Sequence, residues 1–306
     1  MTKPDMNAEN TPPTTLQAGC KVNLFLHITG RRPDGYHQLE SLFVPAENPH
    51  DTLTPCPGQG PGLELTCSRP ELLGAENTLH RSYDLFARET GWAPALTLHL
   101  DKKIPCGAGL GGGSADAACL LSYLQAHCPS EKRPESGSLQ QMAAKIGADV
   151  PFFLSNAPAW VRGIGEVIDV LDFPLCRMWM LILCPDLSIS TARAYQAWDA
   201  ARDIDPPPRW LTQGAKGGRE PAYATGRVLW NSFEQVLFPV YPHLQAHKRD
   251  LLACGASGAV LSGSGSTLVG LFRRETDCIR AAKRLASAQT QTFIQSIGSC
   301  WGVAKW

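Results

Sequence analysis

The sequence predicts an α+β fold. Three observations carry that prediction. Short segments alternate strictly between apolar and polar residues, other segments have the Ala- and Leu-rich composition of helices, and strands arrive in adjacent pairs instead of regular strand–helix–strand repeats. With 306 residues, two domains or lobes are expected at about 150 residues apiece. No internal repeat and no coiled-coil heptad interrupts the pattern.

The elements follow in order along the chain. Residues 1–17 are polar, carry paired prolines and read as a loose tail. Residues 21–28 alternate as a half-buried strand, with Val22, Leu24, Leu26 and Ile28 on one face, Lys21, Asn23 and His27 on the other, and Phe25 out of phase. Residues 31–35 have turn chemistry, so 36–44 return as a second strand. Residues 95–100 alternate again, and a glycine-rich run precedes a helix over 115–124. A further helix covers 139–146, starting at Ser138 and stopping at Gly147. Residues 158–171 read as a strand pair turning at 163–165, residues 178–184 as a buried strand, and a helix begins at Ser190 or Thr191. Three consecutive prolines and several glycines make 203–226 an exposed loop. Beyond it come a helix over 241–253, two strands within 258–272, a helix over 277–286 and a last strand near Phe293.

Composition excludes several classes of function. Lys and Arg number 28 against 28 Asp and Glu, which argues against a strongly basic nucleic-acid binder and against an acidic solvating chain. Hydrophobic residues at 43% and charged residues at 18% supply a sizeable core and rule out general disorder. The 11 cysteines include no C-x-x-C pair, so zinc-ribbon and thioredoxin patterns fail, and several sit in apolar runs as free thiols do. No N-terminal apolar stretch resembles a signal peptide, and the longest apolar run falls far short of the ~20 residues that span a bilayer. The expectation is a soluble, cytoplasmic protein with small-molecule partners, no nucleic acid and no membrane, acting as a monomer or homodimer.

The segment 107–114 is the most informative. Glycines let the main chain approach a ligand closely, and a helix that follows directs its first N–H groups and its positive dipole end at an anion. Phosphate is the natural ligand of such a nest. Gly107, Gly109 and Gly112 satisfy G-x-G-x-x-G, but no acidic residue closes a second strand about 20 positions on, as a dinucleotide fold requires. A Walker A loop needs Lys and Ser or Thr after the last glycine, where this chain has Ser114 and Ala115. A nucleophile elbow needs glycine where Asp116 stands, and the protein-kinase H-R-D and D-F-G signatures are missing. A phosphate-binding glycine loop of another kind remains.

Residues 105–118, PCGAGLGGGSADAA, resemble the phosphate loop of the GHMP kinases (galactokinase, homoserine kinase, mevalonate kinase and phosphomevalonate kinase). Three further segments are similar to the same family in the same order: KVNLFLHITGRRPDGYH at 21–37, GADVPFF at 147–153 and GAVLSGSGSTLVGLF at 258–272. Within the family the likeness is greatest to the branch that phosphorylates CDP-methylerythritol in non-mevalonate isoprenoid synthesis. The resemblance implies a two-lobed fold, with an N-terminal ribosomal-S5-like ATP-binding domain over 18–165, a C-terminal ferredoxin-like domain over 166–306, and the active site between them.

The resemblance also implies roles. ATP and Mg²⁺ would be the cofactors, with the triphosphate on Pro105, Cys106, Gly107, Ala108, Gly109, Leu110, Gly111, Gly112, Gly113, Ser114 and Ala115, and adenine near Asn77 and Lys102. Mg²⁺ would bridge phosphate oxygens beside Ser114, and no counterpart of the family's metal-binding glutamate stands out. Asp149 would be the base and Lys21 its neighbour, the ammonium keeping the carboxylate ionised and favouring the developing alkoxide. On the residues alone, Asp149 reads equally as a helix N-cap and Lys21 as a solvated charge. The acceptor's cytosine would lie among Tyr36, His37 and Tyr195, with Asn23 and Thr191 nearby, although Tyr195 on an amphipathic helix also reads as packing. The product would be the 2-phosphate of the methylerythritol moiety. Other expectations are a GHMP kinase acting on mevalonate, homoserine or a sugar, or a non-catalytic nucleotide-binding regulator. The chain departs from the family in two places: Gly19-Cys20 precede Lys21 where Pro-Ala is usual, and Ala115 stands where serine is common.

Overall fold

The computed structural model describes residues 14–74, 77–171, 177–202, 204–208 and 229–298. Two antiparallel-rich sheets organise it. The first, seven-stranded, contains β1 (Leu16–Arg31), β2 (His37–Pro57), β3 (Leu63–Cys67), β4 (Leu96–Asp101), β5 (Ala159–Gly163), β6 (Val167–Val170) and β8 (Trp230–Asn231). Its order is β3-β4-β2-β1-β8, with the β5–β6 hairpin attached to β2. The second sheet has the order β11-β7-β10-β9, from β7 (Met178–Pro185), β9 (Gly258–Leu261), β10 (Leu268–Phe272) and β11 (Thr290–Ile297). That order, entirely antiparallel, with helices linking its first two and its last two strands, is the ferredoxin-like arrangement that the family resemblance implied.

Strand β1 joins the two halves and departs from its expected pattern. From residue 20 to residue 26 no side chain is more than 6% exposed, so the strand is covered on both faces. Its register against β2 shifts between Asn23 and Phe25, the signature of a bulge. An extra residue reverses the phase, and this accounts for Phe25: Val22, Leu24 and Phe25 pack in one core cluster, while Leu26 and Ile28 belong to another. The expectation that all the apolar residues share one face is thereby corrected. Leu26 instead faces the same cavity as Lys21 and Asn23.

The helices are α1 (Thr78–Thr90), α2 (Gly112–His127), α3 (Ser136–Ile146), α4 (Val150–Ser155), α5 (Thr191–Ala200), α6 (Glu234–Val240), α7 (Pro242–Ala253) and α8 (Glu275–Leu285). Helix α2 lies within the N-terminal core, where Ala117, Ala118, Leu120, Leu121 and Leu124 are all buried. An apolar surface on every side suits a helix enclosed by others, and its alanines permit close approach. It starts at Gly112, not at Ala115, because the last glycines of the run form its first turn. Gly112 is tolerated there for space, since a Cβ would sit 3.0 Å from Ile104 Cγ2.

Other boundaries move too. Of the expected tail, residues 1–13 lie outside the described residues, and Leu16 already pairs with Leu53. The first sheet runs on through β6 to Val170, beyond the boundary expected at 165, and takes β8 from the second half of the chain. The loop expected at 203–226 lies outside the described residues apart from 204–208, where Asp205 exchanges hydrogen bonds of 2.9 Å with the Gln235 side chain. Among the described residues no helix is long and apolar enough to cross a membrane.

Candidate active site

A cavity of about 1030 Å³ opens between the two sheets. Every site residue expected from the sequence lines it except Ala115, whose side chain is buried in the N-terminal core and contributes no surface to the cavity.

The glycine loop forms one wall. Gly107, Gly109 and Gly111 have φ values of 68°, 79° and 73°, the left-handed region that glycine adopts without penalty. Gly111 caps α2: the Ser114 and Ala115 amides donate to Gly111 O at 3.0 and 2.9 Å, and the amides before them have no intrahelical acceptor. The loop is anchored on both sides: the Lys21 amide donates to Leu110 O at 2.9 Å, and the Thr267 amide to Ala108 O at 3.3 Å. Gly109 sits so close to the C-terminal glycine motif that a Cβ would lie 2.9 Å from Ser262 O and 3.0 Å from Gly265 O. Segments 105–118 and 258–272, distant in sequence, therefore pack as one unit.

Lys21 and Asp149 meet across the cavity. The Lys21 ammonium lies 3.6 Å from Asp149 Oδ2, donates to Asn23 Oδ1 at 2.7 Å, and sits 4.4 Å from the centre of the Phe43 ring. It is buried, not a solvated charge. Asp149 occupies the N-cap position of α4, yet its side chain makes no capping hydrogen bond and is directed to the ammonium instead. Asn23 orders the group: its Nδ2 donates to Ser41 Oγ at 2.8 Å and its amide to Ser262 Oγ at 3.0 Å.

At the far end, Tyr36 is 61% exposed, while the His37 ring stacks on Tyr195 with centroids 4.3 Å apart and planes 15° from parallel. Tyr195 also packs edge-on against Phe233 at 5.0 Å, so it serves packing and cavity wall together. Burial, with the Asp149 charge adding to it, pushes the Tyr195 hydroxyl up to about 12. Thr191 Oγ1 lies 3.1 Å from Ser264 Oγ. His37 Nε2 is 2.6 Å from Asp199 Oδ1, a partner that the sequence reading missed. The signal was present, because Asp199 follows Tyr195 by four residues and so shares its face of α5.

Asn77 and Lys102 line the cavity but are engaged within the protein. Asn77 caps α1, accepting from the Leu79 amide at 2.8 Å and donating to Leu72 O at 2.8 Å. The Lys102 ammonium is held between Asp51 and Asp116, 2.8 Å from Asp116 Oδ2. Burial alone would lower the Lys102 ammonium, and the two carboxylates reverse that and raise it. Burial likewise pushes Asp116 up to about 7, against the pull of Lys102. Lys102 thus borders the cavity with its ammonium already paired to both carboxylates.

Known proteins resemble this chain over most of its length. Residues 77–157 match the GHMP kinases N terminal domain, and residues 220–290 match the GHMP kinases C terminal family. A 4-diphosphocytidyl-2-C-methyl-D-erythritol kinase of Nitratidesulfovibrio vulgaris is 44% identical over 89% of this chain and 94% of its own length. One of Solidesulfovibrio magneticus is 40% identical over 92% of this chain and 96% of its own. A crystal structure of 4-(cytidine 5'-diphospho)-2C-methyl-D-erythritol kinase superposes with a TM-score of 0.76 at 34% identity, covering 94% of this chain and all of that one.

Proposed function

The chain belongs to the 4-diphosphocytidyl-2-C-methyl-D-erythritol kinases within the GHMP kinases, and on that premise we propose that it transfers the γ-phosphoryl group of ATP to the 2-hydroxyl of the methylerythritol moiety of CDP-methylerythritol, a step in isoprenoid precursor synthesis. One observation carries the reading: the carboxylate–ammonium couple of Asp149 and Lys21 opens into the cavity that the glycine loop walls.

Phosphoryl transfer needs position and charge stabilisation more than covalent chemistry from the protein. The amides at 111–113 and the positive end of α2 hold the triphosphate, which lies along residues 105–114. Asp149 accepts the hydroxyl proton as the oxygen attacks phosphorus. Lys21 keeps Asp149 ionised beforehand and stabilises negative charge on the attacking oxygen. Asn23 fixes the ammonium in place through its 2.7 Å hydrogen bond. Tyr36, His37 and Tyr195 receive the cytosine at the opposite end of the cavity, and Thr191 borders it.

Mg²⁺ would enter with the nucleotide, and the chemistry it would supply is neutralisation of phosphate charge beside Ser114. Among the described residues no three His, Cys, Asp or Glu side chains converge as a metal cage, and Asp116 already binds Lys102. Among the described residues the protein therefore assembles no cage of its own for a resident ion.

The test is ADP release by the purified protein with CDP-methylerythritol, mevalonate, homoserine and galactose in parallel. Turnover with CDP-methylerythritol alone is expected. Comparable turnover of mevalonate, homoserine or galactose would reassign the acceptor, and no turnover with any would point to a non-catalytic nucleotide binder.

A further inference from the structure

Beneath the glycine loop lies a buried charge cluster that the transfer step does not use. Asp51, on β2, is fully buried, and Asp116, on α2, is 2% exposed. Lys102, just past the end of β4, bonds both carboxylates. Asp51 Oδ1 also accepts from the Lys103 amide at 2.6 Å and the Ile104 amide at 2.9 Å. Asp116 Oδ1 is buried with no hydrogen-bond partner among the described residues. Gly112 lies directly above, where a Cβ would come within 3.4 Å of Asp51 Oδ2.

Two features set the cluster apart from ordinary packing. A buried triad of two carboxylates and one ammonium is poor value for stability, since apolar residues of similar volume often serve as well or better. Its contacts are also placed at both ends of one loop. Asp51 grips residues 103–104, where the chain enters the loop, and Lys102 ties Asp51 to the first turns of α2, where the chain leaves it. A shift of α2 along its axis would break the 2.8 Å bond to Asp116.

We propose that Asp51, Lys102 and Asp116 are positioning residues for nucleotide binding: they fix the entry and the exit of the glycine loop against β2 and so preset the amides at 111–113 for phosphate. This rests on the reading that those amides hold the triphosphate. The three side chains act through the loop, not by touching the nucleotide. Removing one lets α2 settle differently on the sheet, and a displacement on the order of 1 Å costs up to about 100-fold in a preorganised site.

The experiment measures equilibrium binding of a non-hydrolysable ATP analogue to the full chain, alongside KM for ATP and for the acceptor. Wild type is measured first. Failure of wild type to bind the analogue would sink the reading of the loop itself, whereas the positioning role is judged from variants of a protein that binds. Asp116→Ala and Lys102→Met are expected to weaken the analogue about ten-fold or more and to raise KM for ATP equally, with KM for the acceptor within about two-fold. Asp116→Asn, whose amide oxygen still accepts from Lys102, is expected to recover most of the affinity lost in Asp116→Ala. Lys102→Arg keeps every charge and changes only geometry, so if the first variants do not fold it decides by the same readout. Unchanged analogue affinity in a folded variant would overturn the proposal. So would both KM values rising together, or a fall in melting temperature with both KM values intact, since either marks a role in folding only.

Discussion

Replacing Lys21 by methionine removes the ammonium while keeping most of the side chain's volume, and its cost follows from the geometry. Two unit charges 3.6 Å apart interact by about 5 kcal/mol at an effective dielectric near 20. The Asp149 side chain is 31% exposed, so solvent screens the pair, and roughly halving the figure leaves about 2 kcal/mol. If that stabilisation is exerted on the developing alkoxide, kcat falls roughly 30-fold. The Asn23 Oδ1 that accepts from Lys21 at 2.7 Å loses its donor, which costs a further ~1 kcal/mol of folding stability. The assay is ADP release at saturating ATP and acceptor, with circular dichroism confirming a folded protein. A kcat within about three-fold of wild type, in a folded variant, would refute the role given to the ammonium.

Other perturbations probe other parts of the molecule. Gly109→Ala forces a left-handed φ on an L-residue, at about 1 kcal/mol or more, and drives a Cβ into main-chain oxygens of the C-terminal motif. Denaturant unfolding is expected to show a loss of at least ~2 kcal/mol, and a loss under ~0.5 kcal/mol would mean the two motifs are not in close contact. Burial raises the Asp116 carboxyl from 3.8 to about 7, so the folded chain binds a proton there that the unfolded chain releases. The stability this contributes is full below about pH 4 and is lost as pH rises through about 7. Asp116→Asn is therefore expected to gain stability relative to wild type across that window, by on the order of 1 kcal/mol or more; a flat difference would place Asp116 at its ordinary acidity. Tyr36→Ala and His37→Ala are expected to raise KM for the acceptor about ten-fold and leave KM for ATP unchanged. An unchanged acceptor KM would remove cytosine from that end of the cavity.

What could be read from the sequence was mostly local. Alternation located β4, β5 and β6, and apolar run length located β7, because period and length are written in neighbouring residues. The glycine run was legible as an anion nest for the same reason. Helix α1 went unseen although its signals were there: Asn77 as cap, Leu79, Ser82, Tyr83 and Phe86 on one buried face, and Gly91 at the end. The β1 bulge left only one trace, Phe25 out of phase, because a bulge is defined by the partner strand and not by the strand itself. The start of α2 was misjudged because propensity disfavours glycine, while tight packing against Ile104 requires it. Asp51 was invisible as a site residue because its meaning lies in Lys102, 51 positions away, and Asp199, although on the face of α5 that carries Tyr195, takes its role only from His37, 162 positions away. Pairings at such separations are made by the sheet topology, which no short window of sequence contains.

In the proposed reaction Asp149 takes the acceptor's proton beside Lys21 while the glycine loop holds ATP independently of it. The most direct measurement is turnover of Asp149→Asn together with its affinity for a non-hydrolysable ATP analogue. Loss of a general base predicts a fall in kcat of about 100-fold or more, with analogue affinity within two-fold of wild type. Turnover close to wild type, in a variant that binds the analogue normally, would contradict it.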